Sequence, residues 1–403
     1  MIYQLLIRLL APFIFILLAF DGYKRKGGWR FIKQRCGFNY RPLNTQYEYW
    51  LHCASVGEVN AALPLLKLLP ANKLIVTTNT PTGRQFLHKH LPQIDHAYCP
   101  FDWPFAIKRF LKQYQPKSLW ILETEIWPNL YQLCYTQKIT IQIINGRLSQ
   151  KTLTAPTWLN NQYKTTLKFV DHVYAKSNTD KKRFIDLGVK TEKVMTLGNI
   201  KFANATNLKS NPKPTSKPFI LLASSHENEE LAIVKLWQKI KSQHLLTENL
   251  VIAPRHPKRC QELIKQITNL GLSVAVYNPN GTAESVDIIL IDEIGGLQPF
   301  YEYATVVIMG GSFIKKGGHN LLEPCAYGKA VLTGPYMNNF KEETELLLRE
   351  QALRQCQNFM ELNHNLITLL TNSKSRETLE RNAKASLIKQ SKVLQKYQRC
   401  LDL

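Results

Sequence analysis

A glycine-rich segment in the second half of the chain contains the residue types that a phosphate-binding turn needs. Residues 310–324 read Gly-Gly-Ser-Phe-Ile-Lys-Lys-Gly-Gly-His-Asn-Leu-Leu-Glu-Pro and follow residues 304–309, an apolar run typical of a buried strand. Glycines let backbone N–H groups approach an anion, and the N-terminus of a following helix would add positive charge beside Lys315 and Lys316. Glu323 could accept hydrogen bonds from a ribose. The combination favours a nucleotide-sugar site over an ordinary strand-to-helix connection.

Glu58 is the first candidate for acid–base chemistry. Residues 52–59 read His-Cys-Ala-Ser-Val-Gly-Glu-Val, so a strand ends and a helix begins close to Glu58. A helix dipole would stabilise the ionised carboxylate, which suits a general base that accepts a proton from an attacking hydroxyl. The alternative is an ordinary first-turn glutamate that helps to start the helix.

Two further turns in the first half of the chain carry polar side chains. Thr80, Thr82 and Arg84 follow the second predicted strand and could bind a polar or phosphorylated acceptor, although a solvated Pro-Thr-Gly turn is the alternative. Glu123 and Glu125 lie where the fourth predicted strand ends, and one of them could shape an active site electrostatically. Alternatively, Glu125 caps the helix that Pro128 begins.

Cationic and polar residues also occur after the fifth predicted strand, in the segment that closes the first domain and after two predicted strands of the second half. Arg147 and Lys201 could balance a carboxylate substrate and a phosphate leaving group, although an isolated surface residue is the default for Arg147. In the second half, Ser225 and His226 end one strand, and Pro254 and Arg255 end the next. A guanidinium binds phosphate bidentately, which makes Arg255 the best phosphate ligand among them. His226 and His256 could instead be residues that start helices.

The N-terminal segment predicts a membrane anchor. Residues 1–20 are almost wholly apolar, interrupted by Gln4, Arg8 and Pro12, and a basic stretch follows from Lys24 to Arg35. About 20 apolar residues cross a bilayer and basic flanks stay on the cytoplasmic side, so the body of the chain should face the cytoplasm. A cleavable signal peptide fits less well, because the basic residues follow the apolar run. Whether the segment spans the bilayer or lies in its interface stays open.

Composition narrows the possible partners. The chain has 403 residues, 44% of them hydrophobic, and a formal net charge of +22. The basic residues are scattered and form no zinc-finger or other nucleic-acid signature, so an anionic membrane surface is favoured over nucleic acid. The eight cysteines include no Cys-x-x-Cys pair and are expected to be reduced thiols. No Asp-x-Asp pair is present to hold a metal against a diphosphate, so no metal or other cofactor is expected.

Alternating apolar runs and helical patterns predict an α/β protein with two Rossmann-like domains. The predicted organisation is an anchor at residues 1–21, an N-terminal domain at 22–203, a linker at 204–218, a C-terminal domain at 219–374 and a terminal helix at 375–403. Ligands bind at the carboxyl ends of strands in such sheets, so the chemistry is expected in a cleft between the two domains.

Six motifs in this order resemble those of the Kdo (3-deoxy-D-manno-octulosonic acid) transferases of lipopolysaccharide assembly. They are Ala-Ser-Val-Gly-Glu at 54–58, Glu-Thr-Glu-Ile-Trp-Pro-Asn at 123–129, Asn-Gly-Arg at 145–147, Gly-Asn-Ile-Lys-Phe at 198–202, Pro-Arg-His-Pro at 254–257 and Gly-Gly-His-Asn-Leu-Leu-Glu-Pro at 317–324. The resemblance implies an inverting glycosyltransferase of the GT-B fold. It would move Kdo from CMP-Kdo to a lipid A precursor at the cytoplasmic face of the inner membrane.

The resemblance also implies roles for individual residues. Glu58 matches the general base, and Glu123, Glu125 and Lys201 match groups that stabilise the transition state, with Glu123 preferred of the two carboxylates. The candidate donor-binding residues are Ser225, His226, Pro254, Arg255, Ile294, Gly295, Gly296, Gly311, Ser312, Gly318, Asn320, Leu321, Leu322 and Glu323. The candidate acceptor-binding residues are Ser55, Gly57, Thr80, Thr82, Arg84 and Arg147. At Gly296 the chain departs from the family, in which an acidic residue more often follows the first glycine.

Two other functions stay open at this point. A GT-B transferase or epimerase that uses a UDP-sugar would share the two-domain layout and the glycine-rich Glu motif, but it would not explain the turns at Glu58 and at 123–128. A non-catalytic protein that binds a membrane surface would explain the apolar N-terminus and the charge. It would leave Glu58, Arg255 and Glu323 without a purpose.

Overall fold

The chain divides into two compact units, each built around one parallel sheet. The computed structural model describes residues 2–25, 27–41, 46–206, 208, 210–244, 247–279, 286–293 and 295–403. Unit 1 comprises Met1–Asn204 and Lys392–Leu403, and unit 2 comprises Ala205–Ser391. The predicted α/β class with two Rossmann-like sheets is therefore confirmed.

Unit 1 contains a seven-stranded sheet in the order β3-β2-β1-β4-β5-β6-β7. Its strands are β1 (Tyr49–His52), β2 (Leu74–Thr78), β3 (Asp95–Tyr98), β4 (Ser118–Leu122), β5 (Thr140–Gly146), β6 (His172–Ala175) and β7 (Val194–Thr196). Its first ten helices are α1 (Ile2–Leu9), α2 (Ala11–Lys24), α3 (Gly28–Arg35), α4 (Val56–Leu66), α5 (Pro81–His90), α6 (Pro104–Tyr114), α7 (Pro128–Thr136), α8 (Gln150–Leu153), α9 (Thr157–Leu167) and α10 (Asn178–Asp186). Short 3-10 helices cover Ala71–Lys73, Thr191–Lys193 and Ile200–Thr206.

Unit 2 contains a second seven-stranded sheet in the order β10-β11-β9-β8-β12-β13-β14. Its strands are β8 (Phe219–Ser225), β9 (Asn249–Pro254), β10 (Val274–Val276), β11 (Ile288–Leu290), β12 (Val306–Met309), β13 (Ala330–Thr333) and β14 (Arg354–Gln355). Its helices are α11 (Glu230–His244), α12 (Cys260–Thr268), α13 (Gln298–Tyr303), α14 (Leu322–Ala326), α15 (Lys341–Arg349), α16 (Phe359–Thr371) and α17 (Ser373–Ser391), with 3-10 helices at Pro257–Arg259 and Asn338–Phe340.

The strands are apolar on both faces because helices cover both sides of each sheet. In β1, Trp50 belongs to one buried cluster of unit 1 and its neighbour Leu51 belongs to another. Strand partners follow the same alternation, with Ile75 in the first cluster and Val76 in the second. This continuous burial explains why unbroken apolar runs identified twelve of the fourteen strands that the structure describes; β7 and β14 were not predicted.

The end of the chain differs from the prediction. Residues 375–403 do not form one helix: α17 ends at Ser391, and α18 (Val393–Cys400) follows it. Residues from Lys392 onward belong to unit 1, whereas α17 belongs to unit 2. The break lets Val393 and Tyr397 of α18 join a buried cluster of unit 1, which a continuous helix could not supply.

The predicted anchor also differs from a single straight helix. Among the described residues, no single helix is long and apolar enough to cross a membrane, whereas α1 and α2 together have that length and composition but meet at an angle of 54°. Ile7 and Leu18 are buried against unit 1, while Phe13 and Leu17 are each 66% exposed. One side of the helix pair therefore packs on the sheet unit and the other side is an apolar surface.

Asp102 holds α1 and α7 together at the carboxyl end of β3. Its buried carboxylate accepts the N–H groups of Asn129 and Leu130 at 3.0 and 2.8 Å, and the Tyr3 hydroxyl donates to it at 2.6 Å. Helix α7 has no side-chain cap from its own N-cap residue, Trp127. Asp102 therefore does for α7 what an N-cap side chain would do.

Asp102→Ala should lower the free energy of unfolding by about 2–3 kcal/mol, because two buried N–H groups at the start of α7 lose their acceptor. Urea unfolding followed by tryptophan fluorescence measures this loss. Tyr3→Phe is the matched control: it removes only one hydroxyl and should cost about 1 kcal/mol. Equal, small losses for the two variants would contradict the capping role.

Candidate functional site

Three of the four predicted catalytic residues of unit 1 lie at the carboxyl ends of its central strands, and the fourth, Lys201, follows the edge strand β7. Strand β1 pairs with β2 on one side and with β4 on the other, so the order of connection reverses between β1 and β4. Glu58 lies in the first turn of α4 after β1, and Glu123 directly follows β4. Ligands of open parallel sheets bind at such a reversal, because the following helices diverge there and leave a crevice. We call Glu58, Glu123, Glu125 and Lys201 the carboxylate cluster.

The Glu58 side chain belongs to a capping box at the start of α4. Ser55 is the N-cap and its hydroxyl accepts the Glu58 N–H, while the Glu58 carboxylate accepts from the Ala54 N–H at 2.7 Å and from the Ser55 hydroxyl at 3.1 Å. This geometry fixes the carboxylate in one rotamer. Glu58 therefore also performs the helix-starting role that was the alternative from sequence.

The pKa of Glu58 is raised to about 7, chiefly by burial; the negative charges of Glu123 and Glu125 also raise it, and the hydrogen bond from Ala54 opposes them. The sequence argument expected the helix N-terminus to favour the ionised form. The opposite direction results because desolvation and two neighbouring carboxylates outweigh the backbone hydrogen bond. A carboxyl group with this pKa exchanges a proton readily near neutral pH, as a general base must.

Glu123 and Lys201 form an ion pair, with Lys201 Nζ 3.4 Å from Glu123 Oε1. Glu123 has a φ of 58°, a strained value for a glutamate. Its N–H donates to the Ile144 carbonyl of β5 at 2.9 Å, which holds this conformation. The structure thus brings together Glu123 and Lys201, two residues that the sequence placed in different motifs.

Glu125 is held by residues that the sequence argument did not single out. Its Oε2 accepts from Trp127 Nε1 at 2.8 Å and from Asn79 Nδ2 at 3.3 Å. Burial raises the pKa of Glu125, although the buried Arg35 opposes this. The alternative role for Glu125, capping α7, is wrong because Asp102 caps that helix.

His52, whose Nε2 lies 4.0 Å from Glu125, is a further neighbour that was missed. Burial lowers the pKa of His52 to about 3, so it is neutral beside the carboxylate. Only its position, at the last residue of β1, could have signalled it from the sequence.

The candidate acceptor-binding residues of unit 1 divide into structural and exposed groups. Ser55 and Thr80 are N-caps, and the Thr80 hydroxyl accepts the Gly83 N–H at 3.2 Å. Thr82 Oγ1 lies 3.4 Å from the Thr80 hydroxyl, and the positive charge of Arg84 opposes the effect of burial, which raises the pKa of Tyr98. Gly57 and Arg147 are exposed.

In unit 2 the order of connection reverses at β8, which pairs with β9 and β12. The candidate residues that follow these strands are His226 after β8, Arg255 after β9 and Gly311 after β12. A Cβ at Gly310 would lie 2.5 Å from the Ser224 carbonyl oxygen, so the ends of β8 and β12 approach as closely as a glycine permits.

Part of the expected phosphate turn is corrected by the structure. A helix does not begin at the glycines: α14 starts at Leu322 and is five residues long. Ser312 is buried, and its hydroxyl donates to the Met309 carbonyl at 2.5 Å and accepts the Gly334 N–H at 2.7 Å. The Ser312 side chain therefore links the end of β12 to the residue that follows β13 and points into the interior of unit 2.

Glu229 was missed from sequence although it links two of the candidate segments. Its fully buried carboxylate accepts the His226 N–H at 2.8 Å and the Gly311 N–H at 2.6 Å. Burial raises the pKa of Glu229 to about 7. Its neighbour Glu230 accepts from the buried Ser225 hydroxyl at 2.9 Å, so the Ser225 side chain is also directed inward.

A pocket of about 380 Å³ beside these turns is rich in cationic and imidazole groups. It is lined by His226, Glu227, Asn228, His256, Arg259, Ile314, Lys315 and Lys316. The rings of His226 and His319 stack, with their Nε2 atoms 2.8 Å apart, and burial lowers the pKa of His319 to about 4. Arg255 is exposed next to His256.

The remaining candidate donor residues are divided between polar and buried positions. Asn320 donates from its amide to the Glu323 carboxylate at 2.9 Å, and its Oδ1 accepts the Leu322 N–H at 3.1 Å. Pro254, Leu321, Leu322 and Gly318 are buried. Gly295, with a φ of 99°, precedes Gly296, whereas Ile294 lies outside the described residues.

No group of three or more His, Cys, Asp or Glu side chains able to hold a metal ion is present in the part of the chain that the structure describes. The imidazoles of His226, His256 and His319 lie close together in unit 2. Their ring centroids lie 5.9 Å (His226 to His256) and 5.1 Å (His226 to His319) apart.

Solved structures share the fold of this chain. A putative UDP-N-acetylglucosamine 2-epimerase from Listeria monocytogenes superposes with a TM-score of 0.58 at 13% identity, covering 89% of this chain and 97% of its own. The UDP-GlcNAc 2-epimerase from Neisseria meningitidis gives 0.57 at 14% identity, with coverages of 87% and 100%. At these identities the likeness confirms the GT-B class of fold and nothing more.

Sequence comparisons identify the family. The family model for 3-deoxy-D-manno-octulosonic-acid transferase (kdotransferase) matches residues 30–204. A 3-deoxy-D-manno-octulosonic acid transferase from Haemophilus influenzae is 33% identical over 347 residues, 82% of this chain and 81% of the relative. The enzyme of that name from Rickettsia bellii is 28% identical over 411 residues, 98% of this chain and 97% of the relative. Because these relatives share one name and match most of the chain, the chain belongs to the 3-deoxy-D-manno-octulosonic acid transferase family.

Proposed function

We propose that this protein transfers Kdo from CMP-Kdo to a hydroxyl group of the lipid A precursor, with inversion at the anomeric carbon. The observation that carries the proposal is the Glu58 carboxylate, fixed in a capping box at the carboxyl end of β1 with its pKa raised to about 7. Membership of the family supports the choice of donor and acceptor.

The proposed step needs one base and one leaving group. Glu58 accepts the proton of the acceptor hydroxyl as the hydroxyl oxygen forms a bond to the anomeric carbon of Kdo. The bond from that carbon to the phosphate oxygen breaks, and CMP leaves with the electron pair. An inverting displacement of this kind requires no covalent enzyme intermediate, so one carboxylate base suffices.

Charges in each unit suit the groups that carry charge in this reaction. In unit 1, Lys201 is the cation of the carboxylate cluster. It forms an ion pair with Glu123 and could balance negative charge that develops during transfer. In unit 2, Lys315, Lys316 and Arg255 supply positive charge for the single phosphate of CMP and the carboxylate of Kdo. We propose that these cations replace the metal ion that many diphosphate-sugar enzymes use.

The apolar side of α1 and α2 supports a location at the inner membrane, with both sheet units on its cytoplasmic side. Leu9, Phe13, Leu17 and Phe20 are 63%, 66%, 66% and 63% exposed and recur at intervals of three or four residues. Lys24 and Arg25 follow this face and would lie near anionic lipid headgroups, where each basic residue contributes about 1 kcal/mol. The lipid A precursor would be reached from the same leaflet.

Transfer or epimerisation of a UDP-sugar is the second candidate. It rests only on structural likeness at 13–14% identity, which reflects the fold. Sequence relatives that cover most of the chain carry the Kdo transferase name instead. A non-catalytic membrane-binding role gives no reason for a carboxyl group with a pKa near 7 in the carboxylate cluster.

The proposal is tested by incubating the full chain in detergent with CMP-Kdo, generated in situ, and lipid A precursor, with and without EDTA. Product mass should increase by whole Kdo units with release of CMP, and EDTA added after donor synthesis should leave the rate unchanged. A chain that forms no product from CMP-Kdo but turns over a UDP-sugar would overturn the proposal. The number of mass increments counts the residues transferred.

Glu58→Gln should lower kcat by about a thousandfold, because the amide keeps the shape of the side chain but cannot accept the proton. CMP binding, measured by calorimetry, and the melting temperature should stay close to those of the wild type. Glu361→Gln is a matched control, since Glu361 forms the same type of capping box with Asn358 and accepts from the Gln357 N–H at 2.8 Å. Equal loss of activity in both variants, or loss of folding with Glu58→Gln, would contradict the catalytic role.

The pH dependence of kcat/KM should follow the ionisation of Glu58. Below a pH of about 7 the carboxyl group is protonated and cannot act as a base, so the rate should fall about tenfold per pH unit. Glu125→Gln removes a negative charge that raises this pKa, so the ascending limb should move to lower pH. A profile that is flat from pH 5.5 to 8, or an unmoved limb in Glu125→Gln, would exclude Glu58 as the titrating base.

A further inference from the structure

The C-terminal helix contributes a buried tyrosine to unit 1. Tyr397 of α18 is 0% exposed, and its hydroxyl accepts the Asn145 N–H at 3.0 Å. The same hydroxyl lies 3.4 Å from the carbonyl oxygens of Tyr174 and Gly198, to either of which it can donate its proton. One side chain thus contacts the backbone at the carboxyl ends of β5 and β6 and the turn after β7, 199 to 252 residues away in sequence.

Asn145 links Tyr397 to the segment that carries Lys201 through hydrogen bonds. Its φ of 55° is a conformation that asparagine tolerates better than most residues, and its side-chain oxygen accepts the Ile200 N–H at 3.1 Å. The next N–H, that of Lys201, donates to Asn199 Oδ1 at 3.1 Å. The backbone around Lys201 is therefore held by two asparagine side chains, and one of these belongs to Asn145, whose backbone N–H donates to Tyr397.

Helix α18 also packs closely on the turn that precedes this segment. Gly198 has a φ of 105°, and a Cβ at this position would lie 2.7 Å from Val393 Cγ2. Both the packing of Val393 and a contact of the Tyr397 hydroxyl therefore restrain the backbone at Gly198. From there Lys201 extends to Glu123, 3.4 Å from its Nζ.

We propose that Tyr397 is a positioning residue for the transfer reaction: through Asn145 and the Gly198 turn it sets the place of Lys201 against Glu123 in the carboxylate cluster. The inference rests on the proposed function, in which Lys201 balances charge during transfer. Neither the sequence motifs nor the family model, which ends at residue 204, includes Tyr397.

Tyr397→Phe keeps the ring and removes only the hydroxyl. Its kcat should fall about tenfold, with KM for CMP-Kdo and for the acceptor within about twofold, because the misplaced Lys201 weakens an interaction made in the transition state. Tyr174→Phe is the matched control: its hydroxyl donates to the Cys400 carbonyl at 2.9 Å and fastens the same helix without touching Asn145. It should keep the wild-type kcat.

A second measurement separates failure of this inference from failure of the proposed function. Amide hydrogen exchange of residues 199–203, read by mass spectrometry, should speed up in Tyr397→Phe and in Asn145→Gly, which retains the positive φ but removes the side-chain acceptor. It should not change in Tyr174→Phe. Unchanged exchange in Tyr397→Phe, or an equal fall of kcat in both tyrosine variants, would overturn the positioning role. A wild-type chain inactive with CMP-Kdo would refute the function and leave the exchange result to decide the contact.

Discussion

Parallel pairing at the centre of each sheet is the constraint on which the candidate sites depend. In unit 1, β1 lies between β2 and β4, so the turns that follow β1 and β4 must emerge side by side. Glu58 and Glu123 are neighbours for this reason, although 65 positions separate them in the sequence. In unit 2 the pairing of β8 with β12 brings His226 and Gly311 together in the same way. The chemistry of each unit is therefore set by which strands are adjacent.

Glu58, Glu123 and Glu125 lie close together in a partly buried site, and this raises the pKa of Glu58 more than the N-terminus of α4 lowers it. Glu58 receives a backbone hydrogen bond at a helix N-terminus, an environment that normally favours the anion. Desolvation and the charges of Glu123 and Glu125 raise the pKa of Glu58 to about 7 all the same. Lys201 pairs with Glu123, the carboxylate that directly follows β4. Among the described contacts of the three carboxylates, this ion pair with a lysine distinguishes Glu123 from Glu58, which accepts hydrogen bonds from Ala54 and Ser55.

The sequence was sufficient for features that arise from local pattern. Unbroken apolar runs identified most strands, because parallel strands are buried on both faces, and the turns that carry Glu58 and Glu123 were predicted correctly from the ends of β1 and β4. It was insufficient where a partner is distant: Glu229 joins Gly311 across 82 positions, and Tyr397 joins Asn145 across 252. Strands β7 and β14, which are three and two residues long, were missed. The glycine-rich segment predicted a helix start that the short α14 does not provide.

These distant contacts share one physical form. Asp102, Glu229 and Tyr397 are buried polar side chains whose atoms bind several backbone groups at strand or helix ends. A buried backbone N–H without a partner costs about 1–3 kcal/mol, so such a side chain can satisfy its contacts in only one arrangement of the turns it joins. Apolar packing tolerates small shifts between neighbouring elements, whereas a side chain bonded to two turns does not. If the proposed function holds, placement of the reacting groups to within a fraction of an ångström, which catalysis requires, would therefore depend on residues outside the recognisable motifs.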